Sequence, residues 1–434
     1  MENNTSSPSH DKDTSETIVM DTSKDSESSA YQMDGGRAAW LSVLGGWMAA
    51  FCTFGAGSSF GVYQDFYTLK GTSSPSNISW IGSMQFFLTF AMGLPAGKLL
   101  DAGYFHHAQI VGAILYIFSL FMLSLVDTSK YYQIFLSQGL GVGLGSGLIF
   151  VPALSVQAHH WKRRRALAIG IVLSGTSCGG IVYPIMLNQL FNDGHAGFAW
   201  GVRASAFLSL GLLAIANATM TTRTSKINAA RQVSTTGSSQ IFRDIPYWIA
   251  AAGATLTVLG LYIPYFYLQL FISVHGLSST LAFYSVAILN AASFFGRNIL
   301  NFLADSVGQF NVTCPVSIIS TALVFTLYGA TTPGGAIAFA ILYGFFSGGF
   351  ASLLPATLAV FSRDLSEVGI RIGIGFFLTG FGILCGSPIA GALINPGFHW
   401  SKLIIFSGVV MSGGSILLLI ARQMAVARKG TQRI

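Results

Sequence analysis

The chain has 434 residues, of which 52% are hydrophobic and 9% charged, with 34 Phe and 50 Gly, against roughly 25% charged in an ordinary soluble protein. That composition argues against a soluble enzyme or scaffold and makes a lipid bilayer the partner of the fold. The net charge of +7 does not mark a nucleic-acid binder, because the cations lie in short loops and tails beside apolar runs, where they orient spans.

Residues 1–36 are rich in Ser, Thr, Asp and Glu and carry almost no large apolar groups before Tyr31. Such a segment cannot bury enough surface to offset its ordering entropy, so a disordered cytoplasmic tail is expected. No cationic stretch followed by an apolar core and a cleavage site precedes the first span, which must therefore target the protein itself.

From Ala38 onward, apolar stretches near the roughly 20 residues that a bilayer requires alternate with short polar breaks. Twelve are expected, at 40–63, 78–100, 108–126, 132–157, 166–190, 199–220, 247–272, 280–303, 313–331, 335–360, 372–394 and 402–421. They must be helices, since backbone polar groups in hydrocarbon have to be satisfied internally and the runs are too long for barrel strands. The expectation is an all-α membrane protein of two six-helix halves, 37–220 and 247–421. A cytoplasmic linker, 221–246, joins them, and a basic tail, 422–434, follows.

An even number of spans puts both termini on one side. Of the 23 Lys and Arg, eighteen fall with the termini, among them Lys98, Lys162, Arg163, Arg164, Arg165, Arg243, Arg363, Arg371 and Arg428. Lys70, Lys130, Arg203 and Lys402 fall opposite, and Arg297 lies inside a span. The bias places the termini in the cytoplasm, with the plasma membrane as the expected location. Asn77-Ile78-Ser79 then lies in an outside loop, the one acceptable position for an N-linked glycan. Cys52, Cys178, Cys314 and Cys385 lack a CxxC spacing or a partner His and read as small packing residues.

The halves repeat each other. Asp101 after span 2 is echoed by Asp305 after span 8, Pro152 in span 4 by Pro355 in span 10, and Gly170, Ser174 and Gly175 in span 5 by Gly375, Thr379 and Gly380 in span 11. The three offsets differ by no more than two residues. Two six-helix halves in parallel repeat resemble the major facilitator organisation, which implies alternating access by rocking about a central site.

Closer in, His160-Trp161, Arg163-Arg164-Arg165, Leu167-Ala168, Gly170, Gly175 and Gly179 resemble the span-5 signature of the monocarboxylate transporter family. Asp34-Gly35-Gly36 with Trp40 resembles that family's signature ahead of span 1. The resemblance extends in organisation over about residues 34 to 425. It implies a small organic, anionic solute with a co-transported proton, and an arginine in span 8 as substrate and coupling residue, matched by Arg297. The chain departs from the pattern at Ser293, where the family often has an acid, and at Ser58 or Ser59, near the place of a lysine. Asp101 and Asp305 resemble degenerate versions of the facilitator loop motif.

Read from the residues alone, Arg297 must face a wet cavity or a partner, because a charge at membrane depth costs several kcal/mol. It either binds a carboxylate in a bidentate way or snorkels to the interface. Tyr262, Tyr265 and Asn290 are expected as a wall beside it, next to Pro264, a residue that can break a helix locally. Tyr63, Gln85 and Tyr183 are polar candidates in the opposite half. Arg163, Arg164 and Arg165 are expected to pair with Asp34 or Asp101 when the inner gate shuts, with Asp305 as a further gating residue. The alternating glycines Gly139 to Gly147 complete no nucleotide loop and read as helix packing. The acids are expected in tails, loops or at span ends, which leaves no carboxylate within a span. Proton coupling through a site such as His275 and facilitated diffusion both stay open.

No nucleophile, base or metal cluster converges, and neither a cofactor nor an obligate protein partner is implied. The reading is a non-enzymatic carrier of an organic anion. Its alternative is an exporter of a secondary metabolite, or a carrier of a vitamin-like heterocycle such as riboflavin.

Overall fold

The computed structural model describes residues 34–192, 196–222, 241–363, 367–394 and 399–434. Most of the expected tail and of the linker therefore lies outside the described residues. The described chain is helical with no strand, and eleven helices are long and apolar enough to cross a membrane.

In chain order these are α1 (Arg37–Leu69), α3 (Phe105–Leu123), α4 (Tyr131–His159), α5 (Arg165–Asn192), α6 (Gly197–Thr219), α7 (Ile245–Val274), α8 (Ser279–Val307), α9 (Gln309–Gly329), α10 (Pro333–Ala359), α11 (Val368–Ile394) and α12 (Trp400–Lys429). The twelfth, α2, is split at Met92 into Pro75–Ala91 and Gly93–Asp101. Two helices depart from regular geometry. A π-helical stretch, Phe51–Gly55, and a turn at Ser58 and Ser59 interrupt α1, and another π stretch, Phe135–Val142, follows the first turn of α4. By contrast α7 is continuous through Pro264.

Local sequence explains how the helices start. At the end opposite the basic clusters, Ser74, Ser278 and Thr332 cap α2, α8 and α10 by accepting the amide N–H three residues on, with Pro75 and Pro333 in the first turns. Each such cap contributes about 1 kcal/mol. At the basic end, α5 and α11 are capped instead by acids from the other half. Asp305 accepts the N–H groups of Ala166 and Leu167 at 2.9 and 2.8 Å, and Asp101 accepts that of Ile370 at 2.8 Å. The N-terminal amides of two helices thus meet acidic side chains across the inter-half seam.

Glycines let that seam close. A Cβ on Gly170 of α5 would lie 2.6 Å from the Arg297 carbonyl oxygen of α8, and Gly97 of α2 meets the carbonyl of Gly369 on α11. At the basic end α5 packs on α8 and α2 on α11 with backbones nearly touching. The halves are shut there.

Candidate functional site

Arg297 sits on the inner face of α8, 7% exposed, with Ser293 one turn earlier. Its Nε donates to Ser293 Oγ at 3.0 Å, and Ser177 Oγ of α5 donates to the same oxygen at 3.2 Å. A serine pair thus links the arginine to the opposite half. No carboxylate pairs with Arg297 among the described residues. One turn further out, Tyr265 donates its hydroxyl to Asn290 Oδ1 at 2.7 Å, and Asn290 Nδ2 donates to the Gly180 carbonyl at 3.3 Å.

Arg297 and Tyr262 line a central cavity with Phe54, Phe90, Phe150, Thr176 and Phe376. Its volume is about 20 Å³, room for roughly one water molecule. Aromatic pairs from the two halves enclose it: Phe54 with Tyr262 at 5.9 Å and Phe90 with Phe376 at 5.0 Å between centroids line it, and Phe86 with Phe266 at 5.8 Å stand on its far side. Beyond them a vestibule of about 420 Å³ lies between α1 and α2 on one side and α7 and α11 on the other. The chain is therefore seen with its basic end shut, its central cavity collapsed and a vestibule at the other end.

The structure brings Arg297, Tyr262, Tyr265 and Asn290 to one place. It does not bring Tyr63, Gln85 and Tyr183 there. These three face a separate cavity of about 20 Å³ inside the first half, with Ser59, Gln138 and Ser205. Tyr183 bonds Ser209 at 2.7 Å. A polar side chain on a span can face the interior of its own bundle as well as a central site, and here all three do; Tyr183 finds its partner there, whereas Gln85 Oε1 has none among the described residues.

The residues expected to gate lie together at the basic end, but their contacts differ from the expected ion pairs. The Asp34 carboxylate accepts backbone N–H groups of Lys162, Arg163 and Arg164 at 2.7, 2.6 and 3.2 Å, and its own N–H donates to the His160 carbonyl. Three successive amides in a turn form an anion nest, so the acid organises the loop from α4 to α5 and leaves the guanidinium groups in place for other partners. Both sides of that contact belong to the first half. The inter-half contacts are those of Asp101 and Asp305. Asp101 lies one residue past the apolar stretch of α2. Burial pushes its carboxyl up to about 8, opposed by the amides of Ile370 and Gly369 and reinforced by Glu367.

Three features were not anticipated from the sequence. Arg371, counted there among the loop cations, is 1% exposed. It bonds Asp244 at 2.8 Å and Glu367 at 3.1 Å and lies over the Tyr247 ring, while Arg428 reaches the other Asp244 oxygen at 3.0 Å. Ser177 completes the link to Arg297. Asp65 lies in the last turns of α1, past the expected end of that span, and lines the vestibule. The run Tyr63, Phe66 and Tyr67 on either side of it was the available signal. Asn77 sits in the first turn of α2 at the vestibule end, exposed, its Nδ2 on Ser73 Oγ at 3.0 Å.

Two six-helix halves about a central cavity, shut at one end and hollow at the other, have the architecture of a membrane carrier. Residues 43–364 match the family model of the Major Facilitator Superfamily. The chain belongs to that superfamily and is a non-enzymatic membrane transporter. It is 38% identical over 393 residues to "MFS-type transporter dbaD" of Emericella nidulans, covering 89% of this chain and 87% of the relative. It is 39% identical over 401 residues to "Aspyridones efflux protein apdF" of the same organism, covering 92% and 80%. The fold is similar to that of the proton:xylose symporter XylE bound to 6-bromo-6-deoxy-D-glucose, with a TM-score of 0.70 at 10% identity over 88% of this chain and 94% of that one.

Proposed function

We propose that this transporter exports a secondary metabolite that carries an aromatic or other flat ring and an anionic group, by alternating access across the plasma membrane with the basic end in the cytoplasm. The observation that carries the proposal is Arg297, a buried cation with no acidic partner among the described residues, on a cavity walled by Phe54, Phe90, Phe150, Tyr262 and Phe376. Such a guanidinium is offset by a solute carboxylate or acidic enol, and the rings by its flat face. Export is preferred to uptake of a small monocarboxylate because a relative at 39% identity is named an efflux protein and because the wall has more ring surface than a short acid would cover. The span-5 signature supports a place near the monocarboxylate-like group. The test uses inside-out membrane vesicles containing the full chain, in which export appears as uptake. Labelled aromatic acids should accumulate faster than their amides. Equal rates for acid and amide would remove the anion from the proposal, and transport only into right-side-out vesicles would reverse its direction.

A further inference from the structure

The vestibule has its own chemistry. Ser58, Gln64, Asp65 and Ser83 line it from the first half, and Gln269 and Ser273 from the second. Asp65 is the charged group among its lining residues. It is exposed, and among the described residues it makes no ion pair. The nearest cation along the chain, Lys70 just past the end of α1, lies over the Phe66 ring, 5.9 Å from its centroid. The aromatic layer of Phe54, Phe86, Tyr262 and Phe266 separates this space from the central cavity and its arginine.

We infer that the vestibule is a second solute site, which takes neutral or cationic molecules bearing O–H or N–H donors and turns away carboxylates. A carboxylate in a cleft with low-dielectric walls concentrates cations and depletes anions. The two amides and four serines around it, Ser79 included, supply hydrogen-bonding partners without adding charge. Along the path from the basic end a solute thus meets a cation first and an anion second. An anionic solute released from Arg297 past the aromatic layer is repelled outward by Asp65 and opposed on return. A cationic or neutral solute is held there instead. This goes beyond the proposed function and stands on the lining residues whichever way the protein is oriented.

The test uses the full chain in lipid nanodiscs, where both ends are reachable and orientation plays no part. In a Cys385→Ser background, Gln269→Cys reports the vestibule, and the same background without it sets the baseline. Rates with a trimethylammonium and a sulfonate methanethiosulfonate are each normalised to a free thiol in solution. The cationic reagent should be favoured by roughly tenfold. Asp65→Asn should bring that preference close to one, and Asp65→Glu should keep it. Tryptamine should slow labelling in a manner lost with Asp65→Asn, whereas indole-3-acetate should not. An unchanged preference in Asp65→Asn, or equal protection by the amine and the acid, would overturn the inference. The two reagents read the vestibule independently of transport, so they separate its failure from that of the export proposal.

Discussion

Replacing Gly170 with alanine tests how the basic end is held shut. The new Cβ would lie 2.6 Å from the Arg297 carbonyl oxygen and 2.7 Å from Asn301 Cβ, where ordinary contact begins at 3.4 Å. To accept it, α5 and α8 must part by close to an ångström at this level, a strain of roughly 1–3 kcal/mol for an overpacked contact. The strain exists where the two helices touch and vanishes when they separate, so it shifts the balance toward the basic-end-open form by about 5- to 150-fold. Spin labels at Arg164 and Ser306, both exposed at this end, report the separation by double electron–electron resonance. Gly170→Ala should deplete the short-distance population. Gly211→Ala, where nothing lies within 4 Å of the added atom, should leave it as in the parent. A folded Gly170→Ala protein with the parent's distance distribution would refute the reasoning.

Further predictions concern charge. Asp101 is held at about 8 in the closed arrangement, above its ordinary 3.8, so closing takes up a proton. The Asp101 contribution to closure is complete below about pH 4 and is lost as pH rises toward 8, by at most about 2–3 kcal/mol between pH 6 and 8. Labels at Tyr104 and Arg363 should show the basic end opening over that range, and Asp101→Asn should abolish the dependence. Asp244→Ala leaves Arg371 buried with one acid fewer and should lower stability by roughly 3–5 kcal/mol in a detergent melt, while Arg363→Ala, an exposed position, should change it little. Ser293→Asp would set a carboxylate beside Arg297 and should abolish the preference for acid over amide in vesicle uptake without loss of the folded protein.

The spans were legible because hydrocarbon imposes a minimum length of apolar sequence, and every expected stretch overlaps a helix. The far end of α1 was harder to read, because Gln64 and Asp65 look like the start of a loop. They are polar because that end of the helix lines a vestibule, and a run of apolar residues cannot reveal which part of a span is wet. Arg371 was misplaced for a related reason. Its charge marks it for water unless Asp244, 127 positions earlier, is known to lie 2.8 Å away. The site shows both outcomes. Arg297 and Asn290, seven apart on one helix, share a face by period, and Tyr262 follows from the cost of leaving that charge unsurrounded. No such period tells whether Tyr63, Gln85 and Tyr183 face the central cavity or the interior of their own bundle, and they face the latter.

The central claim is that Arg297 anchors an anionic solute, and the most direct measurement compares acid and amide uptake by vesicles carrying the parent, Arg297→Lys and Arg297→Gln. A charged hydrogen bond of roughly 1.5–3 kcal/mol is lost with the guanidinium. The account predicts that Arg297→Gln loses the acid by about 10- to 150-fold while keeping the amide, and that Arg297→Lys falls between. Acid uptake by Arg297→Gln equal to the parent's would contradict it.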